Sequence, residues 1–357
     1  MKKYKSKNFY YDNSPVFGIP AIFYILLGGR GCGKTYSTQK YCIKKWLKTG
    51  EPFCWLRLKE PSVKKLLANN AKDFIDSDLI RKYNLGEFKV KNNCVFIIDE
   101  SGNEIEFARI MALSTFYQDK GISMNRKADG TAKNRNLQIH DNALRRVIKP
   151  YKTIVLDEMN SERSEKRTFD ITYALVNQLE NLVRLDTNRR IIMCGNTLEE
   201  GSDILSRCFG FIPNEFGIYR LHRKKAVIHY IEDSDEYKKE REKSIAGILT
   251  PNESTFTNKV ESDVDLIYKG RKKLKPSSII MFSSTKKYVM CDGVITQMKI
   301  PLGYQLPVLA LQPYIPGVSY SAEHANAFIK NVQLRAYKFD MLYTLKKFMG
   351  DIQSLKN

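Results

Sequence analysis

The chain has 357 residues, 43% of them hydrophobic, and no run approaches the roughly 18 consecutive apolar residues that a transmembrane helix requires. Its basic residues 1–5 lead into polar and aromatic residues rather than the apolar run of a secretory signal, so we expect a soluble protein with no membrane partner that is not secreted. The formal net charge of +20 favours a polyanionic partner such as nucleic acid; a merely soluble basic surface is the alternative.

The first predicted unit is a strand, a loop and a helix. Residues 21–27 form a short apolar run that is typical of a buried parallel strand. Residues 34–47 carry apolar and aromatic side chains on one helical face, and Gly50 follows as a helix terminator. Between them, residues 28–35 read G-G-R-G-C-G-K-T, which is the P-loop pattern in its proper context.

The P-loop pattern predicts how a nucleoside triphosphate would be bound. Its glycines let backbone N–H groups surround the phosphates, and the new helix directs its positive end toward them. We expect Lys34 to contact the β- and γ-phosphates and Thr35 to ligate Mg²⁺. The predicted nucleotide-binding residues are Gly28, Gly29, Arg30, Gly31, Cys32, Gly33, Lys34 and Thr35, with ATP and Mg²⁺ as cofactors.

The next elements are a strand at 53–58 and a hairpin of strands 94–98 and 105–110 around the turn-like residues 101–103. From 118 to 152 the composition becomes strongly basic, with interleaved Gly and Asn, which predicts an irregular loop. This loop is a candidate nucleic-acid contact; a solvated insertion is the alternative.

Two apolar runs end in an Asp-Glu pair, the arrangement that an ATPase uses to hold Mg²⁺ and to activate the attacking water. The pair Asp99 and Glu100 leads straight into the hairpin turn, so we expect it to lie in solvent. Asp157 and Glu158 instead end the strand 153–157, which precedes a helix at about 168–185 and another strand at 190–195. We therefore assign Asp157 to Mg²⁺ and Glu158 to the general base.

Polar residues near the strand 190–195 extend this catalytic group. Asn196 follows that strand, where ligands meet the carboxyl ends of a parallel sheet, so it is a candidate sensor; an ordinary turn or cap is the alternative. In ring ATPases a neighbouring subunit often supplies an arginine. Arg184 is the first candidate for this trans role, with Arg189 and Arg190 as alternatives, and Arg30 could act in cis or couple the nucleotide state to motion. A surface salt bridge is the default role for each of these arginines.

The remaining sequence predicts strands at 217–221 and 225–231 and then a smaller α+β domain. We place the ATPase domain at 1–232, a charged linker at 233–258 and the C-terminal domain at 259–357. That domain offers strands near 279–283, 287–290 and 294–300, and one helix from 322 to about 349.

These motifs resemble the genome-packaging ATPases of small podoviruses, which are related to the large terminases of tailed phages. The resemblance depends on the P-loop with its internal Arg30, on T-I-V-L-D-E at 153–158, on Arg184 at a helix end and on I-I-M-C-G-N at 191–196. It covers most of residues 20–200. Over the C-terminal third it is a match of size and α+β pattern.

The resemblance implies an ATPase that drives double-stranded DNA into a procapsid in the host cytoplasm. It implies an ASCE-type α/β P-loop domain with a mostly parallel sheet and a C-terminal domain related to the RNase H-like nuclease of terminases. It also implies a homomeric ring, typically a pentamer, at the portal, with a structural RNA as adaptor in some members, and Arg184 as the trans finger. We expect no nuclease activity, because Asp263, Asp265, Asp292, Glu323, Asp340 and Asp351 form no evident constellation.

Two other functions fit parts of the sequence. A cellular helicase or DNA pump would share the P-loop, but further helicase motifs are not evident in the chain. A nucleic-acid assembly protein that binds nucleotide without hydrolysis is the other alternative, and Glu158 argues against it.

Overall fold

The computed structural model describes residues 9–119, 151–159, 169–183, 186–196, 204–213, 215–249, 266–268, 270, 274–297, 299–300 and 305–355. The chain divides into two compact units, residues 1–209 with 215–259 and residues 210–214 with 260–357. Within the described ranges, no helix is long and apolar enough to cross a membrane.

The first half of the first unit contains the phosphate-loop strand and its neighbours in sequence. Its helices are α1 (Ser14–Phe17), α2 (Lys34–Thr49), α3 (Glu60–Ala71) and α4 (Ser77–Lys82). Its strands are β1 (Phe23–Leu27), β2 (Phe53–Arg57), β3 (Phe88–Lys91), β4 (Cys94–Ile98) and β5 (Glu104–Ala112), and a 3₁₀ segment follows at Leu113–Asp119.

The second half of this unit alternates strand and helix. It contains β6 (Thr153–Asp157), α5 (Ile171–Leu182), β7 (Arg190–Gly195), a helical turn at Leu205–Phe209, β8 (Gly217–Leu221), a 3₁₀ turn at His222–Lys224 and β9 (Ala226–Tyr230). Two short helices, α6 (Asp235–Glu242) and α7 (Ile245–Leu249), follow the last strand.

These strands form one nine-stranded sheet in the order β3-β4-β5-β2-β6-β7-β1-β9-β8. The run from β5 to β9 is parallel throughout, while β3, β4 and β8 pair antiparallel at the two edges. The predicted mostly parallel α/β sheet is therefore confirmed. The parallel strands β1, β2, β6, β7 and β9 are near-continuous apolar runs, as expected for strands that are buried on both faces.

Strand β1 lies inside the sheet, and the phosphate loop follows it directly. It pairs with β7 on one side and β9 on the other, and its residues from Tyr24 to Leu27 are fully buried. Helix α2 then ends where the sequence predicts, since Gly50 adopts a left-handed conformation (φ 64°) and its N–H caps the Trp46 carbonyl at 2.7 Å.

The predicted hairpin at 94–110 is also confirmed, and β3 adds a third antiparallel strand to it. Asp99 begins its turn. The Asp99 carboxylate accepts hydrogen bonds from the Asn103 side chain and from the backbone N–H groups of Asn103 (2.7 Å) and Ser101 (3.0 Å). These bonds lower the pKa of Asp99. The Asp99 side chain thus stabilises a surface turn.

The second unit contains a five-stranded mixed sheet in the order β13-β10-β11-β12-β14. Its strands are β10 (Pro276–Met281), β11 (Lys287–Cys291), β12 (Val294–Thr296), β13 (Val308–Ala310) and β14 (Lys338–Phe339), and its helices are α8 (Ala322–Gln333) and α9 (Leu342–Gln353). This arrangement confirms an α+β unit; the RNase H-like assignment stays a prediction.

The single C-terminal helix predicted from 322 to about 349 is wrong. Helix α8 stops at Gln333, Arg335 takes a left-handed backbone conformation (φ 59°), and β14 joins the sheet beside β12 before α9 begins. The break buries Phe339, whose ring lies 5.5 Å from that of Phe348 on α9. Burial of these aromatic rings compensates for the interruption of the helix.

Candidate functional site

The phosphate loop leaves β1 in the curled shape that the P-loop pattern predicts. Gly31 and Gly33 have φ values of 82° and 100°, which side chains other than glycine rarely tolerate. The Lys34 ammonium, buried under the loop, donates hydrogen bonds to the carbonyls of Gly28 (2.9 Å) and Gly29 (2.8 Å). The Lys34 side chain therefore stabilises the curled shape of the loop.

Cys32 lies within the same loop as a buried thiol. Its Sγ is 3.7 Å from the Lys34 Nζ, and burial raises the pKa of the thiol. A protonated, buried sulfur of this kind packs as a small apolar group rather than as a nucleophile.

Asp157 and the phosphate loop meet through a direct hydrogen bond. The Thr35 hydroxyl donates to Asp157 Oδ1 at 3.0 Å, although the two residues lie 122 positions apart. Asp157 is 3% exposed, and its burial raises the pKa of the carboxyl, an effect that Arg57 and Thr35 oppose. Two oxygen ligands side by side fit Mg²⁺, which prefers hard oxygen donors.

Glu158 follows the strand in an unusual backbone conformation. Its φ of 59° is left-handed, which is uncommon for a residue other than Gly, Asn or Asp, and its side chain is 49% exposed. Such outliers concentrate at functional sites, where the surrounding structure enforces them. At this turn the Glu158 side chain is half exposed, whereas the Asp157 side chain is buried.

Arg57 is a site residue that the sequence analysis missed. It ends β2, the strand beside β6, and its guanidinium contacts both members of the acidic pair: Nη2 lies 3.5 Å from Asp157 Oδ2, and Nη1 contacts Glu158 Oε2. The signal in the sequence is a lone arginine that ends an otherwise apolar strand. Its significance depends on the pairing of β2 with β6, which a local pattern does not reveal.

The alternative acidic pair lies elsewhere. Asp99 and Glu100 stand in the β4-β5 turn, with strands β5 and β2 between their strand and β6. The structure therefore places Asp157 next to the phosphate loop and Asp99 in a surface turn.

The other predicted residues have mixed positions. Asn196 directly follows β7, between β6 and β1, and is half-buried at the carboxyl edge of the sheet. Arg30 is exposed on the loop. Arg184 lies outside the described residues, as does almost all of the basic segment 118–152.

Arg189 and Arg190 already have contacts within the chain. Arg189 donates to the Tyr151 carbonyl at 3.0 Å and pairs with Asp186 at 2.5 Å. Arg190 lies over the Tyr24 ring, 4.5 Å from its centroid, and donates to a backbone carbonyl of α1. Both residues stand at the amino end of β7, opposite the edge that carries the phosphate loop, and these contacts disfavour them as trans fingers.

The fold and the site have the features of a P-loop nucleotide-binding protein: a curled glycine-rich loop follows the inner parallel strand β1, a lysine lies within it, and a threonine donates a hydrogen bond to the aspartate that ends β6, with β7 between β6 and β1. Residues 5–122 match the model of the family described as podovirus DNA encapsidation protein (Gp16). The predicted resemblance to podoviral packaging ATPases is thereby confirmed.

Individual relatives agree. The DNA packaging protein of Bacillus phage B103 is 27% identical over 257 residues, which cover 71% of this chain and 68% of that protein. The DNA packaging protein of Bacillus phage phi29 is 29% identical over 79 residues, covering 21% of this chain and 24% of that one.

Two solved structures share the fold. The phi-28 gp11 DNA packaging motor matches with a TM-score of 0.54 at 14% identity, covering 98% of both chains. The bacteriophage phi-29 genome packaging motor assembly matches with a TM-score of 0.57 at 17% identity, covering 98% of this chain and 100% of that one. At these identities the likeness establishes the fold.

Proposed function

We propose that the protein is an ATPase that drives double-stranded DNA into a preformed viral procapsid. The observation that carries the ATPase assignment is the hydrogen bond between Thr35 and Asp157, with Lys34 seated in the loop beside it. The family match and the packaging proteins of the Bacillus phages support the choice of DNA packaging as the work that hydrolysis drives.

Each residue of the site has a role in this proposal. Lys34 and the backbone N–H groups of residues 28–35 bind the phosphates of ATP. Thr35 and Asp157 hold Mg²⁺, which neutralises charge on the phosphates when bound. Glu158 takes a proton from the attacking water, since it is the exposed carboxylate that directly follows Asp157.

Arg57 governs when Glu158 can act. Arg57 Nη1 contacts Glu158 Oε2, so this oxygen must be released from Arg57 before it can accept a proton from the attacking water. Asn196 orients the water or senses the γ-phosphate, Arg30 acts in cis, and Arg184 acts on the neighbouring subunit's nucleotide.

The wider assembly follows from the same proposal. The chains form a ring, with a pentamer as the expected form, at the portal of the procapsid, with a structural RNA adaptor as a further partner. The ATPase domain spans 1–232, the linker 233–258 and a nucleic-acid-binding C-terminal domain 259–357, for which we propose an RNase H-like fold without nuclease activity. The formal net charge of +20 supports a phosphate-rich track.

The test is ATP hydrolysis by the full-length chain, measured alone, with double-stranded DNA, and with DNA plus procapsids. A packaging motor should hydrolyse fastest with both and should protect the DNA from added nuclease. Equal stimulation by DNA in the absence of procapsids, with no protected DNA in their presence, would indicate a general DNA translocase instead.

A further inference from the structure

Helix α6 contacts the phosphate loop directly, a feature that the proposed function does not use. The Tyr237 hydroxyl donates to the backbone carbonyl of Arg30 at 3.1 Å, at the apex of the loop. A Cβ added to Gly31 would lie only 2.8 Å from this hydroxyl oxygen. Glycine at position 31 thus serves two needs, the left-handed backbone and the close approach of Tyr237.

Tyr237, which makes this contact with the loop, is held in place by residues of α6 and of the N-terminal segment. Ser234 caps α6 by accepting a hydrogen bond from the Tyr237 N–H (3.2 Å), and its hydroxyl donates to the Phe9 carbonyl (3.2 Å). The Phe9 and Tyr237 rings meet edge to face with centroids 5.5 Å apart. Nearby, the Tyr11 N–H donates to the Cys32 carbonyl at 2.8 Å. Tyr237 is therefore held in place while it touches the loop.

Electrostatics link the start of α6 to the same loop. Asp233 is 7% exposed, and among the described residues no hydrogen-bond partner reaches its Oδ1. Burial raises the pKa of Asp233, while the nearby charges of Arg241 and Lys34 lower it. Asp233, Tyr237 and Arg241 recur at intervals of four, so they fall on one side of the helix and its cap. Arg241 lies 4.0 Å from Asp233.

We propose that Tyr237 is a positioning residue for the phosphate loop and that it couples nucleotide occupancy of the loop to helix α6. The Arg30 carbonyl belongs to the peptide chain that must curl around the phosphates, so a donor fixed on that carbonyl preorganises the loop. Coupling is reciprocal: if Tyr237 favours the nucleotide-binding shape, bound nucleotide stabilises the contact and orders α6. Helix α6 is the first helix after the last strand of the sheet, and the chain continues from it toward the second unit.

The inference rests on the proposed function, and the experiment separates the two. It compares full-length wild type with Tyr237→Phe, which removes only the hydroxyl. Tyr219→Phe is the matched control. Tyr219 lies on the edge strand β8, and its hydroxyl also donates to a backbone carbonyl, that of Glu215, at 2.7 Å. Two quantities are measured: the Kd for ATPγS with Mg²⁺, and amide hydrogen exchange of residues 235–249 with and without ATPγS.

We expect Tyr237→Phe to raise the Kd by roughly two- to tenfold, the effect of one hydrogen bond. We also expect ATPγS to slow exchange across α6 in wild type and in Tyr219→Phe, and to slow it much less in Tyr237→Phe. A thermal melt of each variant identifies any loss of folding. If Tyr237→Phe gave the same Kd as wild type, or if ATPγS slowed α6 equally in both, the inference would be overturned while the ATPase proposal stood. Absence of ATPγS binding in wild type would refute the proposed function, and the inference with it.

Discussion

Replacement of Arg57 by alanine should destabilise the first unit, because Arg57 compensates a buried carboxylate. The Arg57 and Asp157 side chains are 15% and 5% exposed, and their closest charged atoms are 3.5 Å apart. Removal of one partner from a buried pair costs about 3–5 kcal/mol. The separation is long and Asp157 keeps its bond from Thr35, so we take the lower end, about 3 kcal/mol.

Loss of the contact between Arg57 and Glu158 adds little to this cost in stability. Half of the Glu158 side chain is exposed, and a surface pair contributes about 0–1 kcal/mol. For a unit of this size, a loss of about 3 kcal/mol corresponds to a fall in Tm of about 6–12 °C.

The pH dependence gives a second, independent signature. Burial already raises the pKa of Asp157 above its ordinary value, and loss of Arg57 should raise it further, since Arg57 is the largest opposing cause. A carboxyl with a raised pKa in the folded state binds its proton more tightly there than in the unfolded chain. The carboxyl therefore contributes most to stability below its pKa in the unfolded chain, and this contribution declines as pH rises through its pKa in the folded state.

The assay is urea unfolding of wild type, Arg57→Ala and Arg207→Ala between about pH 4 and about pH 8. The difference in the free energy of unfolding between wild type and Arg57→Ala should widen as pH rises. Arg207 is the matched control, because it binds Asp170 at 2.7 Å but both side chains are about half exposed, so its loss should cost at most about 1 kcal/mol. Equal stability of the two variants, or a gap that does not change with pH, would refute the assignment of Arg57 as the compensating charge.

Three further predictions concern the catalytic cycle. In a phosphate-release assay, Glu158→Gln should abolish DNA-stimulated hydrolysis although ATP still binds. Glu100→Gln, in the β4-β5 turn, should hydrolyse ATP normally. The reverse pattern would mean that the acidic pair is wrongly chosen. Mixtures of Arg184→Ala and Glu158→Gln subunits should recover part of the hydrolysis that each lacks, since some interfaces then contain both native groups; no recovery at any mixing ratio would count against a trans role for Arg184. Deletion of residues 120–146 should weaken DNA binding and flatten its dependence on salt, and an unchanged salt slope would remove that segment from the DNA path.

The local chemistry of the site could be predicted from sequence, because the P-loop is a contiguous pattern. The choice of Asp157 over Asp99 as the acid beside the phosphate loop was also accessible, since the residues that follow each strand differ: a turn and a returning strand after Asp99, and a helix and a further strand after Asp157. Neighbouring residues were enough for both predictions.

Contacts that depend on strand order were not accessible. Arg57 reaches Asp157 only because β2, early in the chain, inserts between β5 and β6. Tyr237 reaches the loop because β9 pairs with β1, so the chain emerges beside Gly28. The break between α8 and α9 has a similar origin, since Phe339 is drawn into a sheet whose partner strand is distant in sequence. Tertiary pairing decided each case, and the local patterns did not reveal it.

The position of β1 has a consequence for how the protein is made. Among the described residues β1 is the first strand, yet its two neighbours are β7 and β9, and β9 ends at Tyr230. At about 5–20 residues per second, roughly ten to forty seconds pass before Tyr230 is synthesised. Both edges of this apolar strand are open until β7 has been synthesised, and one edge stays open until β9 follows. Efficient production of this chain therefore depends on what shields β1 during translation.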